Sequence, residues 1–138
     1  MGGAGFESPH WTAALRAELE AGRRNGRVGS RLVSETGRLR VWLIEIPPGG
    51  RLPFHTHVND YFWTATSPGR SRSRYADGRV AETDYALGDT RHFSFGAGES
   101  MTHDLENIGD RVMTFTTVEF LGGANAPGGI LLPEFYNQ

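Results

Sequence analysis

The sequence predicts an all-β protein, a single β-sandwich or barrel of the jelly-roll kind with one short helix in front of it. Three observations predict this class. Glycine and proline supply 19 and 7 residues, a turn-rich balance that disfavours a helical bundle. Short runs of apolar, aromatic and β-branched residues, about eight of them, alternate with turn signals at close spacing. The chain has 138 residues and no internal repeat, so one domain with a real core is expected.

In chain order, residues 1–29 form an N-terminal segment with one amphipathic helix. Ser8 can cap it, Pro9 suits its first turn, and Trp11, Leu15 and Leu19 fall at i, i+4 and i+8 before Gly22 stops the run. Its single apolar stripe must lie against something larger. Residues 30–121 read as the barrel. Arg31 to Ser34 is a first strand, and Arg38 to Ile46 alternates cleanly before Pro47-Pro48-Gly49-Gly50 stops it. His55 to Thr66 reads as one aromatic and β-branched run. Arg70 to Tyr75 and Arg79 to Tyr85 flank Ala76-Asp77-Gly78, a hairpin signal. Gly88-Asp89 opens a strand from Thr90 to Phe95. A glycine-rich loop, a strand from His103, a turn at Asn107 to Asp110 and a strand from Val112 to Phe120 follow. Residues 122–138 form a Gly/Pro-rich tail, whose Ile130-Leu131-Leu132 is expected to pack on the barrel or on a partner chain.

Composition removes several chemistries. There is no cysteine, hence no disulfide, thiol nucleophile or thiolate metal site. All 14 basic residues are arginine, so Schiff-base and Walker-lysine chemistry are absent too. A formal net charge of -2 with both signs dispersed gives neither nucleic acid nor an anionic membrane an evident footing. No stretch is apolar enough to span a membrane, and no signal-peptide pattern opens the chain, so a cytoplasmic protein is expected.

His55-Thr56-His57 is the most informative feature. Residues two apart on a strand share a face, so both imidazoles enter one space, a pairing that suits a transition metal. The wider frame is Gly49-(x5)-His55-x-His57, then Gly88-Asp89, then His103-(x3)-Asn107. This resembles the two motifs of the cupin superfamily over about seventy residues, half the chain. The resemblance implies a cupin jelly-roll barrel with His55, His57 and His103 as ligands of one divalent transition metal, iron first and zinc, manganese or nickel as alternatives. His57-Val-Asn-Asp-Tyr61 and Ala97-Gly98-Glu99 further resemble an Asp-Tyr subgroup of small cupins that includes proteins named for β-alanine degradation.

Two departures from the family pattern stand out. Tyr61 occupies the place of the usual glutamate, and the second motif's proline gives way to Phe95-Gly96-Ala97-Gly98-Glu99-Ser100. Strand parity sends Asn59, Tyr61 and Trp63 inward with the histidines, whereas a bulge at Asn59–Asp60 would turn Asp60 inward instead. Tyr61 then serves as hydrogen-bond donor to a substrate, as a weak ligand, or as an aromatic wall. Phe54, Asn59, Trp63, His92, Phe95 and Met101 complete the expected substrate pocket, with Phe93 as a further wall. Arg51 and Arg91 either grip a substrate carboxylate or pair with Asp60, Asp89 or Glu99. Glu106 and Glu119 are candidates to hold imidazole N–H groups.

Three neutral ligands leave a divalent metal its full charge and open coordination positions. The leading expectation is a metal-dependent enzyme of the three-histidine Fe(II) dioxygenase type, acting on a small anionic organic molecule. Zinc or manganese lyase, isomerase, cyclase or hydrolase chemistry is the alternative, and a non-catalytic small-molecule-binding module is the third. A homodimer is expected, with Arg31 to Ser34 and Ile130 to Phe135 covering strand edges.

Overall fold

The structure, a computed structural model, describes residues 2–125. The tail segments Ile130-Leu131-Leu132 and Ile130 to Phe135 lie outside the described residues. After a 3₁₀ segment, Gly2–Glu7, comes helix α1 (Ala13–Gly22). Nine strands follow: β1 (Arg31–Glu35), β2 (Leu39–Ile46), β3 (Arg51–His57), β4 (Tyr61–Ala65), β5 (Gly69–Arg74), β6 (Val80–Tyr85), β7 (Thr90–Phe93), β8 (Met101–Asn107) and β9 (Met113–Phe120). They form two antiparallel sheets in the orders β1-β2-β9-β4-β7 and β3-β8-β5-β6, the jelly-roll architecture expected from the strand spacing. Among the described residues, no helix is long and apolar enough to cross a membrane.

The helix starts four residues later than its sequence signals suggest. Thr12, not Ser8, is the cap, accepting from Leu15 N at 3.1 Å. Ser8 closes the preceding turn, and Trp11 lies just outside the helix with its indole N–H donated to Gly78 O at 2.9 Å. Trp11, Leu19 and Phe54 form a small buried cluster between helix and barrel, the Trp11 and Phe54 rings stacked at 5.6 Å. Burying each of these large side chains contributes about 1.5–3 kcal/mol, which outweighs any choice of cap.

His55 to Thr66 is not one strand. The chain leaves β3 at His57, turns through Val58–Asp60 and enters the other sheet as β4. A register shift between Leu52 and His55, around Pro53, lets both of those residues face the barrel interior. The turn into β3 follows from its sequence. Gly50 N bonds Pro47 O at 2.8 Å, and Gly49 takes φ +80°, the third position of a type II turn that Pro48 prepares. The main core closes one end of the barrel with Ile44, Ile46, Leu52, Ala65, Leu105, Met113 and Phe115. The histidines sit beyond it, toward the loops.

Candidate metal centre and its cavity

His55 and His57 project from β3, and His103 from β8, where it pairs with His55 across the ladder. The three rings converge with centroids 4.6–5.2 Å apart. Their ligand atoms all lie within 4.8 Å of one another, and His57 Nε2 stands 3.2 Å from His103 Nε2. Two nitrogens each about 2.0–2.1 Å from a common metal, at angles between about 90° and tetrahedral, would be roughly 2.8–3.4 Å apart. The observed spacing falls within that range.

The chemistry of the donor set agrees. Burial drives the His55 pKa down to about 4 despite the bond to Pro53, and burial together with the neighbouring histidines holds His57 and His103 well below the ordinary range. The rings are therefore neutral near pH 7, with lone pairs to give. His55 Nδ1 donates to Pro53 O at 2.8 Å, which fixes the tautomer and leaves Nε2 as the free base. Nδ1 of both His57 and His103 is buried without a hydrogen-bond partner among the described residues. The buried Nε2 atoms of His57 and His103 have each other within hydrogen-bond distance, and a shared cation would take up both lone pairs in place of that contact. The three-histidine group can hold a metal ion.

Tyr61 is buried and faces the same space. Its ring stacks on His57 at 4.0 Å and 11°, and Phe93 stacks on its other side at 4.6 Å. Burial, reinforced by Tyr75, pushes its phenol far above the ordinary value, so the hydroxyl stays protonated. Asp60 points away, its Oδ1 accepting from Phe95 N at 2.8 Å. Tyr75 stacks on His103 at 5.5 Å. These groups line a cavity of about 70 Å³ together with Trp63, Tyr85, Met101, Ser73, Thr83, Thr117 and Arg91. That is room for several waters or a ligand of a few heavy atoms.

The structure therefore brings together His55, His57, His103, Tyr61, Trp63 and Met101. Four other expected pocket residues do not line the cavity. Phe54 precedes His55 on the strand and so faces outward, under α1. Asn59 is buried, but its amide donates to Glu119 Oε2 at 2.8 Å instead. His92 alternates with the inward Arg91 and Phe93, so it is exposed on the outer face beside Phe62. Phe95 follows the end of β7 and reaches only the far side of the Tyr61 stack, at 6.3 Å. Sequence reasoning missed Tyr75 and Tyr85. The Asp77-Gly78 hairpin that ends β5 gives parity to Ser71, Ser73 and Tyr75, the one signal that could have found Tyr75.

The proposed roles of the charged residues change as well. Arg51 pairs with Glu18 and Asp104, at 2.9 and 2.8 Å, not with Asp60, Asp89 or Glu99. Glu119 accepts from Trp42 and Asn59, and Glu106 from Arg74, so neither holds a histidine N–H. Asn107 of the second motif is structural. Its amide donates to Ile46 O and Arg111 O, both at 2.8 Å, and pins the turn after β8.

No protein-family model and no curated protein matches the chain. Among solved structures, a cupin domain from Bordetella pertussis Tohama I superposes with TM-score 0.60 at 20% identity, over 72% of this chain and 97% of that one. A double-stranded β-helix protein from Klebsiella pneumoniae gives 0.55 at 22% identity, covering 86% and 94%. An RmlC-like cupin-family protein from Methanocaldococcus jannaschii gives 0.54 at 17%, covering 71% and 80%. At such identities the likeness speaks for architecture alone, and on that ground the chain has the cupin fold, a double-stranded β-helix.

Proposed function

We propose that the protein is a metal-dependent enzyme acting on a small anionic organic molecule, with a three-histidine Fe(II) site of the dioxygenase type. The observation that carries this reading is the meeting of three neutral imidazoles at metal-ligand spacing on the wall of a closed-in aromatic cavity. His55, His57 and His103 would hold the metal, through Nε2 in each case. When bound, a divalent ion supplies Lewis-acid polarisation and, as iron, one-electron chemistry toward dioxygen.

The chain's own residues do the rest. Tyr61 keeps its proton and donates a hydrogen bond into the cavity from beside His57. The aromatic walls exclude water and orient a small ligand. Among the described residues, no Asp or Glu lines the cavity. Proton donation on the cavity wall therefore falls to its hydroxyl groups, Tyr61 first among them. Membership of the Asp-Tyr subgroup fits the sequence from His57 to Tyr61 and is part of this proposal.

Elemental analysis of untagged protein beside His55→Ala, followed by oxygen-uptake assays after Fe(II) reconstitution, tests the reading. Near-stoichiometric iron in the wild type, lost in the variant, with uptake dependent on an added thiol, diketone or phenolic acid, is the expected result. Zinc or manganese without oxygen uptake would replace the oxygenase reading by the non-redox one. Absence of any metal would leave a binding module.

A further inference from the structure

We infer that Arg91 is the specificity-determining residue of the cavity, holding the carboxylate of a small ligand whose other end reaches the histidines. The inference rests on the metal-dependent reading above and narrows its substrate class. Arg91 pairs with Trp63 across β7 and β4, and Trp63 pairs with Thr117 across β4 and β9. Cross-strand partners share a face, so Arg91 belongs to the inward layer that builds the cavity wall. It lines the same cavity as all three histidines and is itself exposed, which puts it at the opening.

Its surroundings leave its donors available. The guanidinium carbon lies 5.0 Å from the Phe93 ring centre, a contact that orients the planar group through its face while using none of its N–H bonds. Among the described residues, no carboxylate forms an ion pair with Arg91, whereas Arg51, Arg70, Arg72 and Arg74 are each held by two carboxylates. The remaining polar groups on the cavity wall, Ser73, Thr83, Thr117 and the tyrosines, are neutral. The charge of Arg91 acts on the hydroxyls of both Tyr61 and Tyr85, so cation and phenol donors serve one volume.

Charge balance then selects the ligand. Three neutral imidazoles with a divalent ion, plus one guanidinium and no acidic wall group, give a cavity with a large uncompensated positive charge. A neutral ligand would leave that charge in place. A carboxylate meets the guanidinium fork in the bidentate geometry that arginine favours and lysine does not.

The test uses propionate and its neutral isostere propionamide, titrated by ligand-observed NMR into three proteins: zinc-loaded wild type, chelator-stripped wild type, and Arg91→Gln. Propionate is expected to bind wild type about tenfold or more tightly than propionamide, the scale of a charge-assisted pair. Arg91→Gln should bring propionate down to the level of propionamide, with zinc stoichiometry and circular dichroism unchanged. Equal affinity for acid and amide, or Arg91→Gln binding propionate as tightly as wild type, would overturn the assignment. The stripped protein separates the two readings. If the wild type takes up no metal, the metal reading fails, while the acid–amide difference in stripped protein and its loss in Arg91→Gln still decide for or against Arg91.

Discussion

Tyr61 stands where a carboxylate would otherwise join the three histidines, and the exchange alters the charge of the site. A glutamate would cancel part of a metal's charge. A phenol whose pKa is driven up by burial stays neutral and offers only a proton to share. Its hydroxyl has no hydrogen-bond partner among the described residues and faces the cavity. Tyr61→Phe should therefore leave metal content unchanged and thermal stability within about 1 kcal/mol, while turnover drops about 10²-fold or more if the phenol assists the reaction. Steady-state rates beside calorimetry check this, and unaltered turnover would reduce Tyr61 to a wall. At this scale much was legible. His55 and His57 follow from spacing two apart, and the parity that carries Tyr61 inward survives the turn at Val58–Asp60. Parity applied strictly would also have excluded Phe54 and His92, each adjacent to an inward residue. Asn59 could not be read that way, because its buried partner Glu119 comes from a strand sixty residues on.

Helix α1 is tied to the barrel by charge as much as by Trp11 and Leu19. Glu18 accepts from Arg51 at 3.1 and 2.9 Å and from Phe54 N at 3.0 Å. Arg51 passes the link to Asp104, fully buried beside His103, which also takes Arg74 at 2.7 Å. Gly22 closes the contact, since a Cβ there would lie 2.4 Å from Phe54 Cβ. Burial alone would raise the Glu18 pKa, but the bonds from Arg51 and Phe54 and the charges of Arg51 and Arg74 outweigh it and hold the carboxyl below its usual 4.5. A lowered folded pKa means that the stabilisation is complete above the unfolded value and is lost as pH falls through the folded one. Glu18→Gln should thus be less stable than wild type near neutrality, and the gap should close on acidification below about pH 4.5. Urea unfolding of both proteins across that range reads it. A gap that does not change with pH would mean that the carboxylate charge does no work in docking the helix. The amphipathic stripe announced this helix; the latch was hidden, because its four charged members are scattered over nearly ninety positions of sequence.

The barrel as a whole places its stability and its chemistry in successive layers. Apolar side chains from Ile46 and Met113 to Ile44, Ala65 and Phe115 fill one end, and polar and aromatic groups take over from Trp42, Thr117 and Trp63 onward. The jelly roll was readable because turn residues such as Pro48-Gly49 and Asp77-Gly78 mark the ends of its strands. The layering was not, since it depends on which strands of opposite sheets face each other. The histidine layer carries three desolvated imidazoles, two of them with an Nδ1 that has no partner among the described residues. A metal that binds only the folded chain must then stabilise the whole molecule by mass action. At a free concentration about 100 times Kd the gain is about 2.7 kcal/mol, which for a domain of this size raises Tm by roughly 10 °C. Calorimetry with Zn²⁺ against a chelated sample should show that rise, and His57→Ala, which removes one ligand without touching the apolar end, should abolish it while still unfolding cooperatively. Equal Tm values for loaded and chelated wild type would mean that the three imidazoles hold no metal in the folded barrel.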